Sequence, residues 1–516
     1  MSTAVCRLLL SGEDIHEAHA LMTAEKKFIA FDIGAETGRC VVITLREKRL
    51  NLIEIHRFNT HAIRYEKGLH WDILQIYEEI LTGLAKANAA SGPFFDGIGV
   101  DTWGVDYVLV DPEGRIIGYP YHYRDDRTDG MMNEAFRLVE KEKLYERTGT
   151  QFAQFNTLFQ LLSEEKKKAT FLMLADKMLL IPDFINYMLS GKIRAEFSIA
   201  STTGLVDPLT RDWAWDLVER FELPSHLFPK MIEPGTVLGP LLPSIAGKTG
   251  LSPNTPVIAT AGHDTASAVV SVPADRNTNW SFLSTGTWSL MGVELDRPLL
   301  TTRAMQSNFT NEGGVSGTTR FLKNIIGLWP LQECRKYWSE RSNRYSYSAL
   351  TELAKKEGFV RGWIDLNDPR FLKPGDMPQK ILSFLEESKQ VTKSEVGFIV
   401  GVILESLAFS YRRTKKDIED VKGSRIEKLY AVGGGVQNDL LMQLTADALG
   451  CAVLAGPIEG AIIGNVGVQA MATGAVADLG EWRSIVANSF PPKVYQPRGS
   501  HYFEENERAF LGILGD

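Results

Sequence analysis

The chain has 516 residues, enough for about three ordinary domains or two large ones. With 44% hydrophobic and 23% charged residues it is too apolar to be disordered as a whole. Its 56 Lys and Arg against 64 Asp and Glu give a formal charge of −8, so it lacks the concentrated positive field that wrapping nucleic acid requires, and no nucleic-acid partner is expected.

Residues 1–26 read as an N-terminal extension. The apolar patch Val5–Leu10 is broken by Arg7 and followed at once by Glu13, Asp14 and His16, unlike a signal peptide. The first strong strand is Lys27–Ile33, followed by the turn Gly34-Ala35-Glu36-Thr37-Gly38 and a second β-rich run, Arg39–Leu45. Two such runs around a glycine turn predict a hairpin. Leu50–Ile55 predicts a third strand. From 72 to 90 the period becomes helical, with Leu74, Tyr77, Leu81 and Leu84 recurring, and Asp72 with Gln75 resembles a capping box. Gly97–Asp101 predicts another strand, then a hairpin turning at Asp111-Pro112-Glu113-Gly114. Strand hairpins followed by helices predict an α/β layered domain with a mixed sheet.

Residues 135–230 read as mostly helical, and Lys166-Lys167-Lys168 as a solvated helix face. A strand returns at Pro256–Ala261. The second half repeats the logic of the first: Trp280–Ser284, the turn Thr285-Gly286-Thr287, then Trp288–Glu294. Phe398–Phe409 carries Glu405 and is too short to span a membrane, so it reads as a buried helix. A third glycine turn, Gly433-Gly434-Gly435, follows the strand Leu429–Val432 and precedes a helix from about Asp439 to Leu449. Cys6, Cys40, Cys334 and Cys451 form no C-x-x-C pair and read as reduced thiols of a cytoplasmic protein. No membrane association is expected.

Three glycine turns, each after a strand, let backbone N–H groups approach phosphate oxygens, although hairpins also need such residues. The common nucleotide fingerprints are absent: Gly247-Lys248-Thr249 has Leu242 where a P-loop requires Gly, and 433–435 lacks the G-x-G-x-x-G spacing. Asp32 ends a strand before the first turn, where a carboxylate can orient water or Mg²⁺ or cap the turn. Trp103 in Asp101-Thr102-Trp103-Gly104 can face a sugar or pack in the core. Asp264, at a strand end, can be a general base or a helix N-cap. His263 alone reads as a structural histidine. No histidine pair has metal spacing, and Gly314-Val315-Ser316-Gly317 is not a nucleophile elbow.

Seven ordered segments carry a resemblance: FDIGAETGR at 31–39, VDTWGVDYVLVD at 100–111, YRDDRT at 123–128, GHDTASAV at 262–269, STGTWSLMG at 284–292, NFTNEGGVSGTTRFLKNIIGLWPLQEC at 308–334 and VGGGVQN at 432–438. From about Phe28 to beyond residue 470 the chain resembles the FGGY carbohydrate kinases. The resemblance implies an α/β fold of two actin-like, Hsp70-like ATPase (ribonuclease H-like) domains flanking a cleft. The expected division is 27–264 and 265–490, with a C-terminal tail at 491–516.

It also implies ATP and Mg²⁺ as cofactors and a small-molecule ketose as substrate, in a monomer or homodimer. Ala35, Glu36, Thr37, Gly38 and Arg39 would contact the ATP phosphates, with Thr287 reaching them from the other domain. An acid beside polyphosphate is unfavourable, so only the backbone N–H of Glu36 is expected to contribute. Gln332 and Gly434 would lie in the nucleotide site, and Asp32 would hold Mg²⁺ through water. Gly104, His263, Asp264, Thr265 and Asn324 would bind the ketose, with Asp264 as the base. Segments 100–128, 262–269 and 308–334 are similar to those of members that phosphorylate L-rhamnulose. A kinase for another ketose such as L-fuculose shares the phosphate motifs. An actin-like conformational ATPase would turn over ATP without sugar. A non-catalytic sugar sensor would need neither Asp264 nor both phosphate turns.

Overall fold

The computed structural model describes residues 25–66, 68–274, 278–341 and 344–515. The extension expected at 1–26 lies almost wholly outside the described residues, as does Cys6.

Two central sheets organise the chain. The strands of the first are β1 (Lys26–Ile33), β2 (Thr37–Arg46), β3 (Arg49–Asn59), β4 (Gly97–Thr102), β5 (Thr236–Pro240) and β6 (Pro256–Ala259), in spatial order β5-β6-β4-β1-β2-β3. Those of the second are β7 (Trp280–Thr285), β8 (Trp288–Leu295), β9 (Thr310–Gly313), β10 (Thr319–Ile326), β11 (Lys428–Val432), β12 (Ala452–Ala455) and β13 (Lys493–Tyr495), in order β9-β10-β8-β7-β11-β12-β13. The pairing is duplicated. β1 and β7 each run antiparallel to the next strand and parallel to β4 and β11 respectively. Those are in turn parallel to β6 and β12, each followed outward by an antiparallel edge strand. The likeness of residues 27–45 to 280–294 is therefore the visible part of a repeated sheet, to which the second half adds β9.

Helix α1 (Ile73–Ser91) is capped by Asp72, whose carboxylate accepts from the Gln75 N–H at 3.1 Å. The Gln75 side chain turns to Glu79 instead of back to the cap, so the box is half formed. The buried stripe is Ile73, Ile76, Ile80, Leu84 and Ala87, and Leu74 is 55% exposed. The expected stripe is rotated because α1 docks through Gly83, where a Cβ would lie 2.9 Å from both Cys40 and Phe31 of the sheet. The hairpin expected at 111–114 shrinks to one bridge, Val110 to Ile116. Tyr107–Val110 instead pairs along its length with Lys177–Leu180. Helices dominate 131–190, and Lys166–Lys168 ends one of them, with Lys166 paired to Glu134 and Lys168 to Glu165.

Helix α2 (Asp264–Val270) leaves the first sheet, and Ala268 and Val269 pack with Trp280 and Phe282 under the second. Further on come α3 (Trp329–Glu340), α4 (Val396–Lys422), α5 (Asp439–Leu449) and α6 (Gly460–Ala472). Within α4, Glu405 is buried as expected and accepts from Val360 N, Trp363 Nε1 and Tyr502 Oη. The last helix, α7 (Ser500–Ile513), lays Tyr502, Phe503 and Phe510 against Phe409.

α6 returns to the first sheet, where Ile462, Ile463 and Val466 pack with Phe28, Ala30, Val41 and Ile43. Its polar side enters the same sheet: Asn465 Nδ2 donates to Asp101 Oδ2 at 2.6 Å and Gln469 Nε2 to the Ile29 carbonyl at 3.0 Å. Gly99 in β4 makes room, since a Cβ there would lie 2.6 Å from Asn465 Oδ1. α2 and α6 cross at Gly464. Among the described residues, no helix is long and apolar enough to cross a membrane, and Cys40, Cys334 and Cys451 are free.

A Cβ at Gly464 would lie 1.6 Å from the Ser267 carbonyl oxygen, so Gly464→Ala must force the helices apart. It should destabilise the protein by about 1–3 kcal/mol or more, read as a lowered thermal midpoint.

Candidate active site

The carboxyl ends of the parallel strands point at one another across the junction of the two sheets, where α/β sheets bind ligands. From the first sheet come the turn after β1, residues 103–106 after β4 and residues 260–264 after β6. From the second come the turns after β7 and β11. They line a single cleft with a cavity volume of about 290 Å³.

Three carboxylates meet on the first-domain side. Asp32 and Asp101 are register partners on adjacent parallel strands. Asp101 is fully buried, and its Oδ1 has no hydrogen-bond partner among the described residues. Burial, together with the Asp32 charge, pushes it well above the usual carboxylate range, against the Asn465 bond. Asp32 Oδ2 pairs with Arg39 Nη2 at 2.6 Å, and the other arm of Arg39 pairs with Glu459, immediately before α6. Burial opposes that guanidinium's charge, but Asp32 and Glu459 overcome it. Asp264, the first residue of α2, is reachable from the cleft although protein surrounds it. Burial raises it and Asp32 adds to the rise, while His263 and the Thr265 hydroxyl, 3.1 Å from Oδ1, oppose it.

Two neighbouring carboxylates, one with an orphaned oxygen, fit a divalent cation that keeps most of its waters and is shared with a polyphosphate. Among the described residues no cluster offers three protein ligands, so the donor set suits an ion carried by its substrate.

The Trp103 side of the cleft is held by a buried acceptor. Asp106 takes Trp71 Nε1 at 2.6 Å, Trp103 Nε1 at 3.0 Å, Tyr123 N at 3.1 Å and Gln160 Nε2 at 3.0 Å. Burial still pushes it up to about 6. Trp103 thus serves the core, its ring tilted 34° against that of Trp71 with centroids 4.1 Å apart, while also lining the cleft. Val105 has φ 69°, a strained value for a β-branched residue, and is held there by Thr202, Thr157 and Gln160. This fixes the course of the backbone at Gly104.

The second-domain turns brace one another. The N–H groups of Gly327 and Trp329 donate to the Thr287 carbonyl, and that of Leu328 to Gly286. A Cβ at Gly433 or Gly435 would strike Thr285, whereas Gly434 has nothing within 4 Å.

The N-terminal domain of the FGGY family of carbohydrate kinases matches residues 27–271, and its C-terminal domain matches residues 282–473. The chain belongs to the FGGY family of carbohydrate kinases. It is a phosphotransferase acting on a sugar hydroxyl. It is 42% identical over 475 residues to a rhamnulokinase of Bacteroides thetaiotaomicron, covering 92% of this chain and 96% of that protein. It is 39% identical over 471 residues to one of Bacillus subtilis, covering 91% and 95%. Among solved structures, gluconate kinase from Lactobacillus acidophilus superposes with a TM-score of 0.77 at 15% identity over 95% of this chain and 98% of that one. Xylulose kinase from Rhodospirillum rubrum gives 0.76 at 19%, with the same coverages. These structures share the two-domain, actin-like ATPase fold.

Against the expected FGGY roles, Asp32, Ala35, Arg39, Gly104, His263, Asp264, Thr265, Thr287, Asn324 and Gly434 all line the cleft. Glu36, Thr37, Gly38 and Gln332 do not. Glu36 and Thr37 are exposed at the turn, with the Glu36 carboxyl in the field of Arg124 and Lys336. Gly38 lies within β2, and its missing Cβ makes room for Phe58, whose ring would be 2.2 Å away. Gln332 lies on α3 with a buried, unpaired Oε1.

Several cleft residues escape sequence reading. Gln151 Oε1 accepts from Asn324 N at 2.9 Å and Nδ2 at 3.0 Å, tying the first domain to the second. Arg124 lies 3.9 Å over the Trp329 ring. Glu312 bonds His263 at 2.9 Å. None lies at a telling spacing from its partner. The available signals were membership of Arg124 in the segment 123–128 and of Glu312 in the segment 308–334.

Gly434→Ala fills only open cleft. It should leave the thermal midpoint unchanged while raising KM for ATP about tenfold or more, the mark of a group removed from substrate binding.

Proposed function

We propose that this kinase transfers the γ-phosphoryl group of ATP to the 1-hydroxyl of L-rhamnulose, in L-rhamnose catabolism in the cytoplasm, with Asp264 as general base. The observation that carries this reading is the position of Asp264. It lines the same cleft as Gly104, His263 and Asn324 and as the glycine turns at 34–35, 286–287 and 433–434. Its relatives named rhamnulokinase, matched over nearly the whole chain, support the choice of sugar.

A primary hydroxyl is a weak nucleophile. Asp264 accepts its proton as the oxygen forms a bond to the γ-phosphorus in line and the bond to ADP breaks. Backbone N–H groups of the turns at Ala35, Thr287 and Gly434 receive the phosphates, and Arg39 stands beside them. Magnesium, when bound, would neutralise charge on the polyphosphate, and Asp32 and Asp101 are the residues that would hold it. The two domains, near 27–264 and 265–490, close over the substrates and exclude water.

Asp264→Asn should fold normally and lose about 10²–10⁴-fold in turnover. Near-wild-type ADP release would exclude Asp264 as the base. ADP release against L-rhamnulose, L-fuculose, L-ribulose, D-xylulose and glycerol tests the substrate, and a clear preference for another sugar would overturn that assignment.

The pH profile provides a separate check. A base must be ionised, and Asp264 is raised by burial and by Asp32. The acid limb of kcat/KM should therefore lie above the ordinary aspartate value of about 3.9, with activity lost as pH falls through it.

A further inference from the structure

We infer that Glu312 is a positioning residue for Asp264, acting through the imidazole of His263. The inference rests on the reading of Asp264 as the base. Glu312 lies on β9, the edge strand of the second sheet, and is 4% exposed. That strand docks on the first domain. Gly313 N donates to Ser201 Oγ at 2.8 Å, and Phe197 lies only 2.5 Å from where a Gly313 Cβ would stand. The contact brings Glu312 Oε2 to 2.9 Å from His263 Nδ1.

A carboxylate can only accept, so Nδ1 carries the proton of that bond. With Nδ1 committed to Glu312, the ring plane is set and Nε2 faces Asp264 Oδ1 at 3.4 Å. That oxygen also accepts from the hydroxyl of its neighbour Thr265 at 3.1 Å. The imidazole is therefore the wall against which the base is held, and Glu312 holds the wall.

The remaining contacts of Glu312 fit this role. Arg320, fully buried, donates from Nη2 to the same Oε2 at 3.0 Å and from Nε to the Gly313 carbonyl at 2.9 Å. Arg320 Nη2 is also 3.4 Å from His263 Nδ1. Two donors face each other there, so it is the carboxylate between them that keeps the ring in place. Buried charge pairs are costly to desolvate and are often replaceable by apolar residues without loss of stability. This one sits on the far side of the imidazole from the reacting carboxyl, where it determines orientation.

The test compares kcat and KM for Glu312→Gln, Glu312→Ala and Glu312→Ala with Arg320→Met, the last avoiding an unpaired buried charge. Glutamine still offers an oxygen to Nδ1–H and should retain kcat within about threefold. The alanine variants free the ring and should lose about 10²-fold in kcat, as small misplacements of reacting groups do, with KM for ATP unchanged. The ring ¹⁵N–¹H signal of His263, identified by its absence in His263→Asn, should persist in Glu312→Gln and shift or vanish in the alanine variants. Wild-type kcat in the folded double variant would overturn the inference. So would a Glu312→Gln loss equal to that of Glu312→Ala. Asp264→Asn separates the two claims. Its retained turnover would remove the base itself, whereas its loss alongside full activity of the alanine variants would remove only the role of Glu312.

Discussion

The backbone of Gly464 lies so close to the Ser267 carbonyl that no side chain fits between them. Most of the active site hangs from this crossing. α2 begins at Asp264, so its direction determines where that carboxyl points. α6 begins just after Glu459, which holds Arg39, and one residue past the crossing it delivers Asn465 to Asp101. One close approach of two backbones thus relates Asp264, the acidic pair and the guanidinium.

The charge of the cleft is unusual for a polyphosphate site. Asp32, Asp101, Asp264 and Glu459 surround Arg39, whose guanidinium is already paired twice. Attraction to the nucleotide cannot rest on a basic surface. In the proposed reaction that task would fall to backbone N–H groups at the glycine turns and to a divalent cation brought with the nucleotide. An overall charge of −8 is compatible with that arrangement, because fixed dipoles and a divalent ion act over a few ångströms whereas net surface charge is screened beyond about 8–10 Å.

Much of the fold was legible because its signals are local. β-rich runs around glycine turns gave β1, β2, β7 and β8. A strand, three glycines and a helix gave β11 and α5. The misreadings arose where two local patterns compete. α1 carries more than one apolar stripe, and which of them is buried depends on where Gly83 meets the sheet. The turn at 111–114 is real, but Tyr107–Val110 finds a longer partner in Lys177–Leu180, about 70 residues on. Gly38, written beside the turn, lies within β2, where Phe58 fills the space a side chain would take.

By itself the sequence determined the strand-turn units, their duplication and, through the ordered motifs, the family and the candidate base. These depend on short segments whose backbone needs, such as glycine in a tight turn or a carboxylate at a strand end, are written in adjacent residues. Only the tertiary structure decided which groups face one another. Gln151 meeting Asn324, Arg124 over Trp329, Glu459 on Arg39 and Glu312 on His263 are all contacts between residues far apart in the chain. Their geometry follows from how two sheets are joined by crossing helices, and no spacing along the chain encodes it.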